Sequence, residues 1–305
     1  MCVMVLTNEE KYNNGNIPVL RIQGKTLPEA WEKSVLELWK HGVDVKTEYD
    51  KPGEPPSKDC TMIMEVLEPF TEPRIHLAFP GGIEDLEKYR QEVVLGVHDH
   101  WIKPEEGKWT YTYHARMFNY KVVNDLSSSK IESPYPPVNQ INHMIDKLSK
   151  FYYSRRAQAV IWMPTADPST DDCPCLQRVW CRILKNDENE PVLCMNTHWR
   201  SRDAYKAAFM NIYAFTELQR EIANKISKKL GKTVKVGRYV DITDSYHIYG
   251  AYFEEFQERF LKNINARSFE ERTWRTDDPR VQTAIEYGKQ LLEQEKKREQ
   301  EESND

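Results

Sequence analysis

Cys175 lies in Pro174-Cys175-Leu176-Gln177, where a polar, proline-bearing loop runs into an apolar stretch. A thiol at such a junction is held rigidly and half exposed; beside a cation it ionises and becomes a nucleophile. The alternative is a small buried core residue, the commoner fate of a free cysteine. Downstream, Thr197-His198-Trp199-Arg200-Ser201-Arg202-Asp203 leads into a strongly periodic segment. Guanidinium forks, a hydroxyl and the free amides of a helix start suit a phosphate; the same residues also read as a helix cap by Ser201 or Asp203 with surface arginines. Asn211 is polar on an otherwise apolar helix face. Its amide can read a nucleobase edge, or be a satisfied core amide. In Asp244-Ser245-Tyr246-His247-Ile248-Tyr249, an extended chain would set His247 and Tyr249 on one side; ordinary strand-end polarity would look the same.

The rest of the chain limits what this chemistry serves. Of 305 residues, 39% are hydrophobic and 30% charged, enough apolar content for a sizeable core. Acidic residues number 48 against 43 basic, for a formal charge of -5, so a basic nucleic-acid coat is not expected and nucleic acid is not the expected substrate. No apolar run approaches the ~20 residues of a membrane helix, and Met1 to Leu6 is too short for a secretory signal. The six cysteines, Cys2, Cys60, Cys173, Cys175, Cys181 and Cys194, are too few for a stapled secreted fold. A reducing cytoplasm is the expected setting. Cys173 and Cys175 stand one residue apart with no second pair, so no metal site is expected.

Several elements must position these residues. Leu27, Ala30, Trp31, Val35, Leu36 and Leu38 recur at helical steps over 25–42. A turn-rich stretch from Asp50 to Lys58 precedes a strand over 60–68. Helices are expected over 84–96, 135–153 and 249–263, and strands over 157–163, 176–184, 192–198 and 234–242. The clearest helix spans 203–229, with Tyr205, Ala208, Phe209, Ile212, Phe215, Leu218 and Ile222 on one face and Gly231 as its stop. From Glu293 nearly every residue is charged or polar, which reads as a frayed helix or a disordered tail. The class is α+β.

Taken together, Pro174-Cys175 before a strand, Arg200-Ser201-Arg202-Asp203, Asn211 eleven residues beyond that arginine, and His247-Ile248-Tyr249 after Asp244 resemble the thymidylate synthase family. Ser154-Arg155-Arg156 before a strand resembles the family's paired arginines. The similarity spans roughly residues 84 to 265 and is nearest the short archaeal-type branch, where Leu-Gln follows the cysteine. It implies a three-layer α+β fold whose large mixed sheet forms a homodimer interface. It implies a catalytic core over 84–290; outside it stand an N-terminal extension, 1–83, expected to pack on the same domain, and the charged tail, 291–305, expected from its composition to be disordered.

The resemblance also implies roles. Cys175 would add to C6 of a pyrimidine nucleoside monophosphate. Arg200 and Ser201 would bind its 5'-phosphate, with Arg155 and Arg156 reaching across from the neighbouring subunit. Asn211 would pair with O4 and N3 of uracil, and His247 and Tyr249 would hold the ribose 3'-hydroxyl. Asp203 would meet the folate ring, and Trp101 and Trp109 would wall its pocket. Tyr113 would stand near the cysteine, and Glu92 would move protons at C5 through water. The second substrate would be 5,10-methylene-tetrahydrofolate or a related reduced pterin. The expected reaction is methylation of dUMP to dTMP. The alternative is 5-hydroxymethylation of dUMP, dCMP or CMP, in which water takes the place of hydride; a non-catalytic nucleotide- or RNA-binding relative is a third reading. Three features depart from the usual pattern: Leu176 stands where most members have His, the arginine-bearing N-terminal phosphate loop is missing, and the C-terminus is charged rather than apolar. Lys51, Lys58 and Arg74 are the candidates to replace that arginine.

Overall fold

A computed structural model describes residues 15–302. Of the residues before 84, the described ones, 15–83, are woven into the main sheet. Strand β1 (Val19–Gly24) runs into helix α1 (Leu27–His41), which Thr26 caps and Pro28 opens. Short β2 (Val43–Val45) and ten-residue β3 (Ser57–Val66) follow, then two-residue β4 (Ile75–His76) and α2 (Ile83–Leu95). Next come α3 (Tyr113–Phe118), α4 (Gln140–Lys150) and three strands: β5 (Gln158–Val160), β6 (Leu176–Lys185) and β7 (Pro191–Asp203). Helix α5 (Ala208–Leu230) leads to β8 (Lys235–Ile248). Short α6 (Phe253–Glu255) and α7 (Lys262–Ala266) flank a π-helical turn over Phe256–Leu261, and β9 (Thr273–Trp274) precedes α8 (Pro279–Glu302).

Seven strands form one mixed sheet in the order β1-β3-β8-β7-β6-β5, with β2 on β3; β4 and β9 pair separately. The pairs β1–β3 and β7–β8 are parallel. Parallel neighbours need a crossover, and α1 and α5 supply the two. Both helices pack on the same face of the sheet, α2 packs on α5, and α8 packs on α2, giving sheet, inner helices and outer helices as three layers. Leu176, Val179, Cys181 and Ile183 of β6 are buried under the helices, while Trp180 and Arg182 look the other way. That second face carries Trp180, Val192, Cys194, Val240 and Ile242, each partly covered, with no helix of the described residues packed on it. The α8–α2 contact is close: a Cβ on Gly288 would fall 2.7 Å from the Glu84 carbonyl oxygen.

Several boundaries differ from the sequence reading for local reasons. α5 begins at Ala208 rather than 203, because Asp203 is still paired with His247 in the sheet. β8 extends past 242 to Ile248, held between β3 and β7 on both sides. α4 spans only 140–150, since Asn139 caps it. The helix expected over 249–263 is broken by a 3-10 turn and the π turn. The tail, read as a frayed helix or as disordered, is helical as far as Glu302, anchored on its inner side by Leu292. Residues 303–305 of that tail, and 1–14 of the N-terminal extension, including Cys2, lie outside the described residues.

Candidate active site

Cys175 closes the loop before β6. Its carbonyl accepts from the Arg200 N–H at 2.9 Å, and the Arg200 side chain turns back on the same loop: Nε donates to the Pro174 carbonyl at 3.1 Å and Nη2 to the Cys173 carbonyl at 2.7 Å. The loop is thereby fixed in front of the β7 strand. A register irregularity between Leu176 and Arg178 re-aims the chain just past the thiol. The thiol is half-buried. Burial pushes its pKa up; Arg200 and, less strongly, Arg202 pull it down, against Asp172 and Cys173. Tyr113 opens α3 beside it. Its phenol is partly buried, lies within electrostatic reach of Cys175 and accepts from the Leu176 N–H. The Tyr113 ring stands edge-on to Trp199, centroids 5.7 Å apart.

A second guanidinium lies behind this site. Arg202 is fully buried, pairs with Asp241 and sits 4.6 Å over the Trp199 ring. Asp241 is itself held by Thr243 at 2.9 Å and by Thr197 and Tyr239 at 3.2 Å. The sequence signal was the alternation Arg-Ser-Arg, read only for its first arginine. Ser201 is partly covered at the register of Ser245 in β8.

Asn211, in the first turn of α5, donates through Nδ2 to the Tyr89 hydroxyl at 2.7 Å. Tyr89 is partly buried on α2, near Tyr113, Glu92 and Arg202, and its phenol is held well above its ordinary pKa by the loss of solvent around it first and Tyr113 next. The sequence reading missed Tyr89, although it stands one helical turn before Glu92 and so on the same face. Glu92 and Tyr113 line one cavity of about 180 Å³ with Trp109, Thr110, Tyr111, Thr112 and Asp172. Trp101 and Trp109 meet edge to face at 5.0 Å and border a neighbouring cleft with His100 and Lys103. Trp109 is thus shared by both hollows.

The candidates for the sugar and for the folate ring sit across the sheet. Asp59 of β3, His247 of β8 and Asp203 of β7 occupy one row. The Ser245 hydroxyl donates to Asp59 at 2.7 Å and lies 3.3 Å from His247 Nδ1. His247 Nε2 is buried without a hydrogen-bond partner among the described residues. Such a group costs free energy unless something pairs with it. Burial lowers the His247 pKa, so the ring stays neutral near pH 7. Tyr249 packs edge-on to it at 4.5 Å. Asp203 accepts from the N–H groups of Tyr205 and Lys206 at 2.9 and 2.8 Å, and burial pushes its pKa to about 6. The loop between β2 and β3 closes this end. Tyr49 is within electrostatic reach of Arg200 and edge-on to Tyr249, and Gly250 lies so close to the Pro55 carbonyl that no Cβ would fit.

Not every candidate gathers here. Arg155 and Arg156 are exposed in the turn before β5, where the Arg155 carbonyl accepts from Trp180 Nε1 at 3.0 Å. Arg74 is excluded as a phosphate ligand: it is buried and spent on the Pro69 carbonyl, Glu217 and Thr216. Lys58 pairs with Asp44 at 2.9 Å; Lys51 is exposed in the β2–β3 loop.

A family model described as thymidylate synthase matches residues 79–280. The chain belongs to the thymidylate synthase family. Archaeal relatives carry the name "Putative thymidylate synthase": one from Methanosarcina mazei is 26% identical over 258 residues, covering 84% of this chain and 100% of the relative. Another, from Methanocaldococcus jannaschii, is 27% identical over 236 residues, covering 76% and 91%. The fold is shared with the thermostable thymidylate synthase A of Bacillus subtilis at a TM-score of 0.52 and 17% identity, over 77% of this chain and 83% of that one. As a thymidylate synthase family member the chain is a one-carbon transferase acting on a pyrimidine nucleotide, of the archaeal type. Among its described residues no helix is long and apolar enough to cross a membrane.

Proposed function

We propose that the protein transfers the one-carbon unit of 5,10-methylene-tetrahydrofolate to C5 of dUMP, giving dTMP. The observation that carries this reading is a half-buried Cys175 flanked by two guanidinium groups and a partly buried phenol. Addition of the sulfur to C6 moves the C5–C6 electron pair toward O4 and makes C5 nucleophilic. Arg200 would take the 5'-phosphate through its remaining N–H groups, with Ser201 beside it and Arg155 and Arg156 arriving from a second subunit. His247 Nε2 fits the 3'-hydroxyl, because that hydroxyl would satisfy a buried nitrogen with no other partner. Asn211 keeps its carbonyl and one N–H for the base while Tyr89 fixes the amide. Asp203 offers a carboxylate to the ring N–H groups of a pterin, and Trp109 a flat wall. Glu92 would shuttle protons at C5 through water in the cavity it shares with Tyr113.

The second subunit is supported by the sheet face that no helix of the described residues covers, which ends near the two exposed arginines. A second reading, 5-hydroxymethylation, is favoured by one observation: the cleft beside Trp109 is edged by polar His100, Lys103 and Glu299. Hydride transfer needs water kept from the exocyclic methylene on C5; a wet edge would favour water attack. Incubation with dUMP, dCMP or CMP and methylene-tetrahydrofolate, read by product mass, tests both. A methyl gain on dUMP with dihydrofolate absorbance is expected; a hydroxymethyl gain without it would install the second reading. No release of tritium from C5 with any of the three would overturn both.

A further inference from the structure

His98 follows α2 and stands between two carboxylates from different layers. Its Nδ1 lies 3.1 Å from Glu92 Oε2, and its Nε2 lies 3.1 Å from Glu295 Oε2 on α8. The ring is clamped flat on Trp101, centroids 3.9 Å apart and planes 10° off parallel, and Trp109 meets its edge at 6.0 Å. The next turn of α8 repeats the attachment: Glu299 accepts from Trp101 Nε1 and pairs with His100 at 2.7 Å. The charged groups facing His98 are therefore Glu92 from α2 and Glu295 from α8, with Glu299 farther off.

We propose that His98 is the positioning residue for Glu92 and ties that carboxylate, which lines the reaction cavity, to the C-terminal helix, whose Glu299 borders the neighbouring cleft. This rests on the reading of Glu92 as the proton carrier at C5. Only the imidazolium can donate from both ring nitrogens. It holds Glu92 Oε2 and Glu295 Oε2 at once and leaves Glu92 Oε1 as the oxygen not engaged by the ring. A neutral ring keeps one donor and turns a lone pair on the other carboxylate, so one tie is lost. Burial opposes the charged ring, but the two carboxylates outweigh it and hold the His98 pKa above its ordinary value. The clamp is complete below that pKa and opens as pH rises through it.

The test uses the full chain and the nucleotide that the product-mass assay identifies, tritiated at C5. His98→Ala should lower kcat for tritium release by about tenfold or more, with nucleotide KM nearly unchanged; His98→Gln, which keeps a donor, should recover part of it. Glu295→Gln removes one counter-charge and should move the alkaline fall of kcat to lower pH. An unmoved profile in Glu295→Gln, or a His98→Gln defect carried wholly by KM, overturns the proposal. Glu92→Gln decides the underlying reading separately: undiminished release would remove Glu92 from the chemistry. NMR titration of the His98 ring then decides the bridge on its own, since both Glu92→Gln and Glu295→Gln should lower its midpoint. A midpoint insensitive to either would sink the bridge.

Discussion

At the scale of single residues, the thiol is the centre of the account. Its pKa is raised on balance, so the free protein should react slowly with a neutral alkylating agent at pH 7, in a Cys173→Ser background that removes the neighbouring sulfur. The rate should climb with pH past the ordinary thiol range. Arg200→Ala should slow it further, since a cation that lowers the pKa is lost; faster alkylation would contradict the electrostatic role. Cys175→Ser should abolish C5 tritium release while nucleotide still binds in equilibrium dialysis. Asn211→Asp should shift preference from uracil toward cytosine. Tyr89 can accommodate the change, because its hydroxyl can donate to a carboxylate as readily as it accepts from an amide. Unchanged competition between dUMP and dCMP would show that position 211 does not read the base.

At the scale of elements, the contact of α8 with α2 depends on Gly288. Gly288→Val would force a side chain against the Glu84 backbone and should cost about 1–3 kcal/mol, read as a drop in the chemical-denaturation midpoint. Stability equal to the parent would mean that α8 is held by its side-chain ties alone. This helix shows where the sequence was hard to read. Its outer half is nearly all charged, and its one deep anchor there is Leu292, so periodicity had almost nothing to register. α5 was legible because Phe209, Ile212, Phe215, Leu218 and Ile222 are all buried. β1 escaped notice because it is only six residues of alternating exposure. The neighbours that the candidate site gathers were legible where spacing along the chain carried them: Cys175, Arg200 and Asn211. They were hidden where two layers meet: Tyr89 against Asn211, Arg202 against Asp241, and His98 between α2 and α8. Nothing local marks such pairs, since their partners lie far apart in sequence.

At the scale of the whole molecule, two carboxylates oppose each other in their pH dependence. Burial holds Asp203 at about 6. A carboxyl whose folded pKa lies above the unfolded one penalises the fold above that folded value, and the penalty fades as pH falls toward ~4. Glu32 is the reverse. Burial raises its pKa, but Arg272 and His76 outweigh that and bring it to about 2, so its contribution is present above ~4.5 and lost as pH drops toward 2. Stability should therefore rise slightly from pH 7 to 5 and fall steeply below 4. Asp203→Asn, which keeps the acceptor for Tyr205 and Lys206, should lessen the upper slope, the rest of which comes from Asp59, also pushed up to about 6 by burial, and should gain on the order of 1 kcal/mol at pH 7, while folate KM rises. A denaturation series across pH 3–8 measures both. For the assembly, Trp180→Glu on the uncovered sheet face should yield monomers in sedimentation and cut activity at low protein concentration. Full activity as a monomer would remove Arg155 and Arg156 from the phosphate.

The place of β3 has a practical result for anyone shortening this protein. It lies between β1 and β8, and β8 carries, one residue before its end, the histidine proposed to hold the sugar. A clone starting at residue 84 would leave β8 as an open rim, its amides free to recruit foreign strands. Soluble expression of such a fragment should fail, and supplying residues 15–83 as a separate peptide should rescue it.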